Sequence, residues 1–330
     1  MTAATTTPGE GKYLPLAQCA ATVLMVRPAA FGANPETAAT NAFQSSEVVT
    51  PEEQAQALRE FDQLASGLDR AGVEVLVVQD GAKPPRPDAV FPNNWLSLHH
   101  DGTAVLYPML SPLRRRERRR DVLKVIEERG FGVRRVLDLS GWESSDVFLE
   151  GTGSIVFDHR DRVAYACLSP RTNPRPLDQL VGELGYQPVT FRAIGPAGED
   201  VYHSNVQMCV GETFATLCCE AVTDPVERRT LRERLLTGGR ELIEIDRNQM
   251  NAFAGNMLAL ATTGGGRIVA MSTSAWDSLD AHQRRGLERH GVMLIAAVPT
   301  IERFGGGSVR CTLAEIFLPR NAAGPAPSSS

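Results

Sequence analysis

Residues 154–184 read SIVFDHRDRVAYACLSPRTNPRPLDQLVGEL. Two short apolar runs, Ser154–Phe157 and Val163–Cys167, flank a charged turn. A Pro- and Asn-containing turn follows, and then Arg175–Leu184, whose leucines fall at helical spacing. The order is strand, strand, helix. The same rhythm recurs about five times along the chain. Apolar, β-rich runs also lie at Thr22–Val26, Val73–Val78, Ala104–Tyr107, Gln207–Val210, Ala215–Cys219, Leu242–Ile245, Met257–Thr262, Gly266–Met271 and Met293–Ala297. Helical patterns lie at Pro51–Ala71, Arg114–Arg129, Asp224–Gly238 and Ser278–His290, the first with Thr50 as N-cap and acids in its first turn. The pattern is α/β, but paired strands before each helix are not the strict alternation of a dinucleotide-binding sheet. No GxGxxG or P-loop pattern occurs, and the glycine runs at 264–266 and 305–307 lack the context of a phosphate loop.

The 330 residues carry 42% hydrophobic and 22% charged side chains, ordinary for a globular protein, with a formal charge of −5. That balance gives no footprint for nucleic acid or an anionic membrane. The run RRRERRR at 114–120 is read as a solvated helix start that carries one or two substrate arginines. No apolar run reaches the roughly 18–20 residues of a membrane span, and the first residues lack the basic segment of a secretory leader. The six cysteines, at 19, 167, 209, 218, 219 and 311, match neither a disulfide framework nor a zinc spacing. A reduced, cytoplasmic protein is expected. Residues 1–14 and 321–330 read as flexible tails around a single domain over 15–320.

Four stretches place polar groups at the ends of apolar runs. The first, PDAVFPNNW at 87–95, sets amides beside aromatic rings, although Asp, Pro and Asn are also ordinary turn residues. In DVFLEGTGS, 146–154, Glu150 follows an apolar run and precedes a glycine turn, where a carboxylate can orient or protonate a ligand. In VYHSNVQM, 201–208, His203 precedes a strand and is a candidate acid or base. In FGGGSVRCT, 304–312, three glycines permit close backbone approach and Cys311 follows a cation. Each of these residues has an ordinary structural reading. Together, thiol, imidazole and carboxylate are the parts of a cysteine nucleophile system.

Seven ordered segments carry a resemblance: MVRPAAFGANPETAATNAFQ, PDAVFPNNW, YPMLSPLRRRERR, DVFLEGTGS, CLSPRTNP, YHSNVQM and FGGGSVRC. Spanning about Met25 to Arg320, they resemble the amidinotransferase and arginine-deiminase superfamily of guanidine-modifying enzymes, closest to its citrulline-utilisation hydrolases. The resemblance implies a five-bladed α/β propeller of ββαβ units. It implies Cys311 as nucleophile, His203 as acid and base, and Glu150 as the carboxylate that grips the substrate. It matches Arg171 to an arginine that binds the substrate carboxylate, and either Arg114 or Arg115 to a second one. Asp88 and Phe91 match the family's aspartate–phenylalanine motif. No metal or organic cofactor is implied. The implied partner is a small amino-acid substrate, with no nucleic acid or membrane, and a homo-oligomer is left open.

The superfamily's deiminases carry an acid where this chain has Asn93-Asn94. A carboxylate only accepts hydrogen bonds and suits a guanidinium, whereas an amide both accepts and donates and suits a ureido group as well. The superfamily's dihydrolases have Asn there, and an Asn-Pro like Asn34-Pro35. The reading is therefore a cysteine hydrolase that converts citrulline or arginine to ornithine with release of ammonia and carbon dioxide. The alternatives are a single-step deiminase or dimethylarginine-type hydrolase, an amidinotransferase, and a binding protein with a dead site.

Overall fold

A computed structural model describes residues 16–38, 41, 43–45, 47–195 and 197–321. The expected tails, 1–14 and 321–330, therefore lie outside the described residues, Asn321 apart. The strands are β1 Thr22–Arg27, β2 Glu74–Gln79, β3 Leu96–Leu98, β4 Thr103–Leu106, β5 Arg135–Asp138, β6 Ile155–Asp158, β7 Val163–Cys167, β8 Gln187–Phe191, β9 Met208–Val210, β10 Phe214–Leu217, β11 Glu241–Glu244, β12 Leu258–Ala261, β13 Arg267–Ser272, β14 Val292–Ala296 and β15 Ala314–Glu315.

They form five three-stranded sheets, β3-β4-β5, β6-β7-β8, β9-β10-β11, β12-β13-β14 and β15-β1-β2. In each sheet the first strand runs antiparallel to the second and the second parallel to the third. A helix makes each parallel crossover: Pro51–Arg70, Asp121–Glu128, Pro174–Leu184, Pro225–Thr237 or Ala281–Glu288. This is the five-unit α/β propeller. In the last sheet β15, from the end of the domain, pairs with β1 from its start, which joins the first and last units.

Local chemistry sets the helices. Thr50 accepts from the Glu53 amide while the Glu53 side chain accepts from the Thr50 amide, a reciprocal cap ahead of Pro51. Ala57, Phe61, Leu64 and Leu68 then fall on one buried stripe. Asn173, Asp224 and Asp280 cap three more crossover helices.

One helical expectation fails. Arg114–Arg129 is not continuous: a short turn at Pro112–Arg115, capped by Ser111, is followed by an irregular stretch before Asp121–Glu128. The arginine run is also not simply a solvated face, because Arg114 and Glu117 are buried. Arg118 pairs with Glu143, and Arg119 donates to the Gln79 carbonyl. These side-chain bonds tie residues 118 and 119 to segments distant in the sequence, so the run is packed against its neighbours. Four strands escape the sequence pattern. Three residues at β3 and two at β15 are too short for any period, and β5 and β8 are largely exposed outer strands with mixed composition.

Candidate active site

Each inner strand is entered through a tight turn: Pro92–Asn94 before β3, Gly151–Ser154 before β6, Ser204–Val206 before β9, residues 255–256 before β12 and Val309–Thr312 before β15. The fivefold arrangement brings these turns together at one end of the inner strands, where the candidate thiol, imidazole and carboxylate gather.

Cys311 is delivered by the helix Pro299–Gly305 and the glycine turn that follows. Buried Glu60 accepts from the Thr300 and Ile301 amides at 3.0 and 3.1 Å, satisfying the start of that helix. Gly306 ends it at φ 63°, in the left-handed region that a side chain disfavours. Its carbonyl accepts from Tyr202 Oη at 2.8 Å and Asn41 Nδ2 at 3.2 Å. A side chain at Gly305 would put its Cβ 2.6 Å from the Phe91 ring. Beyond the turn, Ser308 donates to Glu302 at 2.6 Å. Cys311 Sγ accepts from Asn256 Nδ2 at 3.2 Å and from Asn205 Nδ2 at 3.5 Å.

Glu150 is fully buried. Its Oε2 lies 2.9 Å from His203 Nε2, 3.5 Å from Arg171 Nη1 and 4.0 Å from Arg114 Nη1, and its Oε1 accepts from the Leu110 amide at 3.1 Å. Burial alone would raise its pKa. Arg171, the His203 hydrogen bond and Arg114 outweigh burial and hold it down, to about 2. Burial dominates at His203 and pulls its pKa down to about 4, against the upward pull of Glu150. At neutral pH the pair is therefore a carboxylate beside a neutral imidazole, ready to accept a proton and to be stabilised once charged.

Around them lies a cleft of about 290 Å³ lined by Cys311, His203, Arg171, Arg114, Asp88 and Asn94, with Phe91, Tyr202 and the three glycines closing it. Arg114 donates from Nε and Nη2 to the two Glu117 oxygens at 3.0 and 2.9 Å, and from Nη1 to Asn94 Oδ1 at 2.8 Å. It lies 3.6 Å from Asp88. Burial raises the Asp88 pKa, and raises that of Glu117 to about 7, in each case against the pull of Arg114. Arg171 donates to the Thr37 carbonyl at 3.3 Å and lies 4.9 Å from the Tyr202 ring centroid. The cleft thus presents two guanidinium groups, the Asp88 carboxylate and the Asn94 amide to an occupant. No group of three or more His, Cys, Asp or Glu side chains among the described residues is arranged to hold a metal ion.

Eight of the eleven sequence-derived site residues line this cleft or bond directly within it: Cys311, His203, Glu150, Arg171, Arg114, Asp88, Phe91 and Asn94. Three do not line it. Arg115 turns away to the Met109 carbonyl at 3.0 Å and to Glu143 at 3.4 Å, so Arg114 is the inward member of the pair. Asn34 sits behind Asp88 and donates to it at 2.7 Å. Asn93 is buried, and its backbone carbonyl accepts from Thr152. Sequence reasoning passed over Asn205, Asn256, Asn41, Tyr202 and Glu117. Four of these stand inside the segments quoted for the resemblance, and Asn256 had no local signal. A second cavity, about 560 Å³, lies further along the inner strands against His99, Arg310 and Glu315. It is larger, but it is lined by none of Glu150, His203 and Cys311.

A sequence profile described as N,N dimethylarginine dimethylhydrolase, eukaryotic, matches residues 27–318. No curated protein matches the sequence. Among solved structures, apo ArgZ, an arginine dihydrolase from the ornithine-ammonia cycle in cyanobacteria, superposes with a TM-score of 0.71 at 18% identity, covering 91% of this chain and 41% of that one. The substrate-bound N-terminal domain of ArgZ gives 0.69 at 19% identity, covering 90% and 99%. A dimethylarginine dimethylaminohydrolase variant carrying an S-methyl-L-thiocitrulline adduct gives 0.61 at 16%, covering 89% and 99%. The chain thus spans about two-fifths of the full-length dihydrolase and nearly all of its isolated N-terminal domain. At these identities the structural likeness is one of fold. With the profile extending over residues 27–318, from the end of β1 to beyond Cys311, this chain belongs to the N,N dimethylarginine dimethylhydrolase family of guanidine-modifying proteins.

Proposed function

We propose that the protein is a cysteine hydrolase acting on the C–N bonds of a ureido or guanidino amino acid, with citrulline or arginine converted to ornithine. The observation that carries this reading is the Glu150–His203 pair, 2.9 Å apart, at the cleft that Cys311 and two guanidinium groups also line. Arg171 takes the substrate carboxylate. Glu150 and Asn94 hold the planar end. Asn94 favours a ureido substrate, because its Oδ1 is engaged by Arg114 while its Nδ2 has no protein partner and can donate to a carbonyl oxygen.

With citrulline, His203, neutral at rest, takes the Cys311 proton, and the thiolate so formed attacks the ureido carbon and forms a C–S bond. The C–N bond to the terminal nitrogen breaks, and His203 supplies the proton with which ammonia leaves. Neutral again, His203 takes a proton from water. The hydroxyl adds to the alkylcarbamoyl thioester and the C–S bond breaks, returning the thiolate. The resulting N-carboxyornithine loses carbon dioxide to give ornithine. With arginine, the same two stages first yield citrulline by way of an amidino-thioether. The protein works as a reduced, cytoplasmic enzyme on this reading; all six cysteines are free and buried.

A second reading is favoured by the matching profile: hydrolysis of dimethylarginine to citrulline and dimethylamine, ending after one cut. Incubation with citrulline, arginine and dimethylarginine, with ornithine, citrulline, ammonia and dimethylamine quantified, separates the readings. Ornithine from citrulline, abolished by Cys311→Ala, supports the first. Citrulline that accumulates without ornithine overturns it. Asn94→Asp is expected to shift arginine turnover toward citrulline.

A further inference from the structure

The turns that enter the inner strands bring three amides, Asn94, Asn205 and Asn256, to the end of the fold where Cys311 stands. Two of the amides face the sulfur. Asn256 is fully buried, and its Nδ2 bridges the Asn205 carbonyl at 3.1 Å and Cys311 Sγ at 3.2 Å. The carbonyl can only accept, so it fixes which end of the Asn256 amide is the nitrogen, and the second hydrogen of that nitrogen is left for the sulfur. Asn205, also buried, offers a second N–H at 3.5 Å. The Asn256 turn is locked in place: a Cβ at Gly255 would stand 2.4 Å from the Val206 carbonyl oxygen, so the fourth unit's turn packs directly on the third's.

We propose that Asn256, with Asn205 as a second donor, is a positioning residue that holds the Cys311 sulfur as an anion and aims it into the cleft. The inference deepens the hydrolase reading and rests on Cys311 being its nucleophile. Two neutral N–H donors favour the thiolate over the thiol, which has little to offer as an acceptor. They do so without adding charge to a cleft that already contains Arg114 and Arg171, and they form no ion pair that an incoming guanidinium would have to break.

The test follows alkylation of Cys311 by iodoacetamide as a function of pH, measured by mass spectrometry of the Cys311 peptide, with Cys311→Ser as blank for the other five cysteines. It needs no substrate, so it stands even if no ureido or guanidino compound is turned over, an outcome that sinks the hydrolase reading alone. Asn256→Ala is expected to move the alkylation curve to higher pH and to slow labelling at pH 7 about tenfold. Asn256→Asp, which sets an acceptor against the sulfur, is expected to move it further. Asn205→Ala moves it in the same direction by less, as its longer contact requires. With a turned-over substrate, kcat falls about tenfold in Asn256→Ala while KM stays within about twofold. A folded Asn256→Ala protein with the wild-type alkylation curve overturns the proposal and leaves Asn256 a purely structural residue. If that variant does not fold, Asn205→Ala decides: an unchanged curve overturns the proposal, and a shifted one supports it.

Discussion

Gly153→Ala adds one methyl group at the point where the site is tightest. The backbone there is compatible with alanine, since Gly153 is not among the residues at positive φ. The added Cβ would stand 2.7 Å from His203 Cε1 and Nδ1 and 2.4 Å from Asn94 Nδ2, where ordinary contacts begin at 3.4 Å. The imidazole must therefore retreat by about 0.7 Å and the amide by about 1 Å. Neither is free to do so: His203 Nε2 is bonded to Glu150 at 2.9 Å and Asn94 Oδ1 to Arg114 at 2.8 Å. Overpacking of this kind costs about 1–3 kcal/mol of stability, and a misplacement near 1 Å in a catalytic group costs about 100-fold in rate. Expected, then, is a modestly destabilised protein with kcat down about 100-fold and a shifted His203 imidazole NMR signal. Gly141→Ala, whose Cβ meets nothing within 4 Å, is the control. Wild-type kcat with an unmoved imidazole signal in Gly153→Ala would refute the packing argument.

Three further expectations concern charge and helix. His203 is held down to about 4, so from pH 6.5 to 4.5 the unfolded chain takes up a proton on this imidazole that the folded one refuses, and stability falls with acid. Over that window the wild type should lose about 2 kcal/mol more than His203→Gln in chemical denaturation; parallel stability–pH curves would exclude a buried neutral imidazole. Arg114→Ala leaves Glu117 and Asp88 buried without their cation and should cost about 3–5 kcal/mol together with turnover, whereas Arg115→Ala, partly exposed and beside a glutamate that Arg118 also holds, should cost under about 1 kcal/mol and leave kcat nearly unchanged. Equal losses in the two variants would contradict the assignment of Arg114 as the inward arginine. Gly182→Ala, inside the helix Pro174–Leu184 with nothing within 4 Å of the added carbon, should raise stability by about 0.5–1 kcal/mol, and a lower melting temperature would count against the open space described there.

The sequence by itself determined the unit of the fold and nominated most of the residues that meet in the candidate site. Short apolar runs, capping residues and leucine spacing are local signals, so Val163–Cys167 and four of the five crossover helices were legible to within a few residues, the helix at Asp121–Glu128 being the exception. Glu150, His203 and Cys311 were legible because one follows an apolar run, one precedes a strand and one follows a glycine turn and a cation, each in a distinctive segment. Only the tertiary structure decided that Arg114 and not Arg115 faces the cleft, that Asn34 stands behind Asp88, and that Asn205 and Asn256 touch the Cys311 sulfur. Those facts depend on which side of a turn meets which neighbouring unit. Closure of the five sheets, completed by the two residues of β15 against β1, sets that meeting, and it joins side chains far apart in the chain, as in Asn205 and Cys311, 106 residues apart. Periodicity records how a segment folds on itself. It carries no record of the register in which five such segments converge on one axis, and the chemistry of this site is made at that convergence.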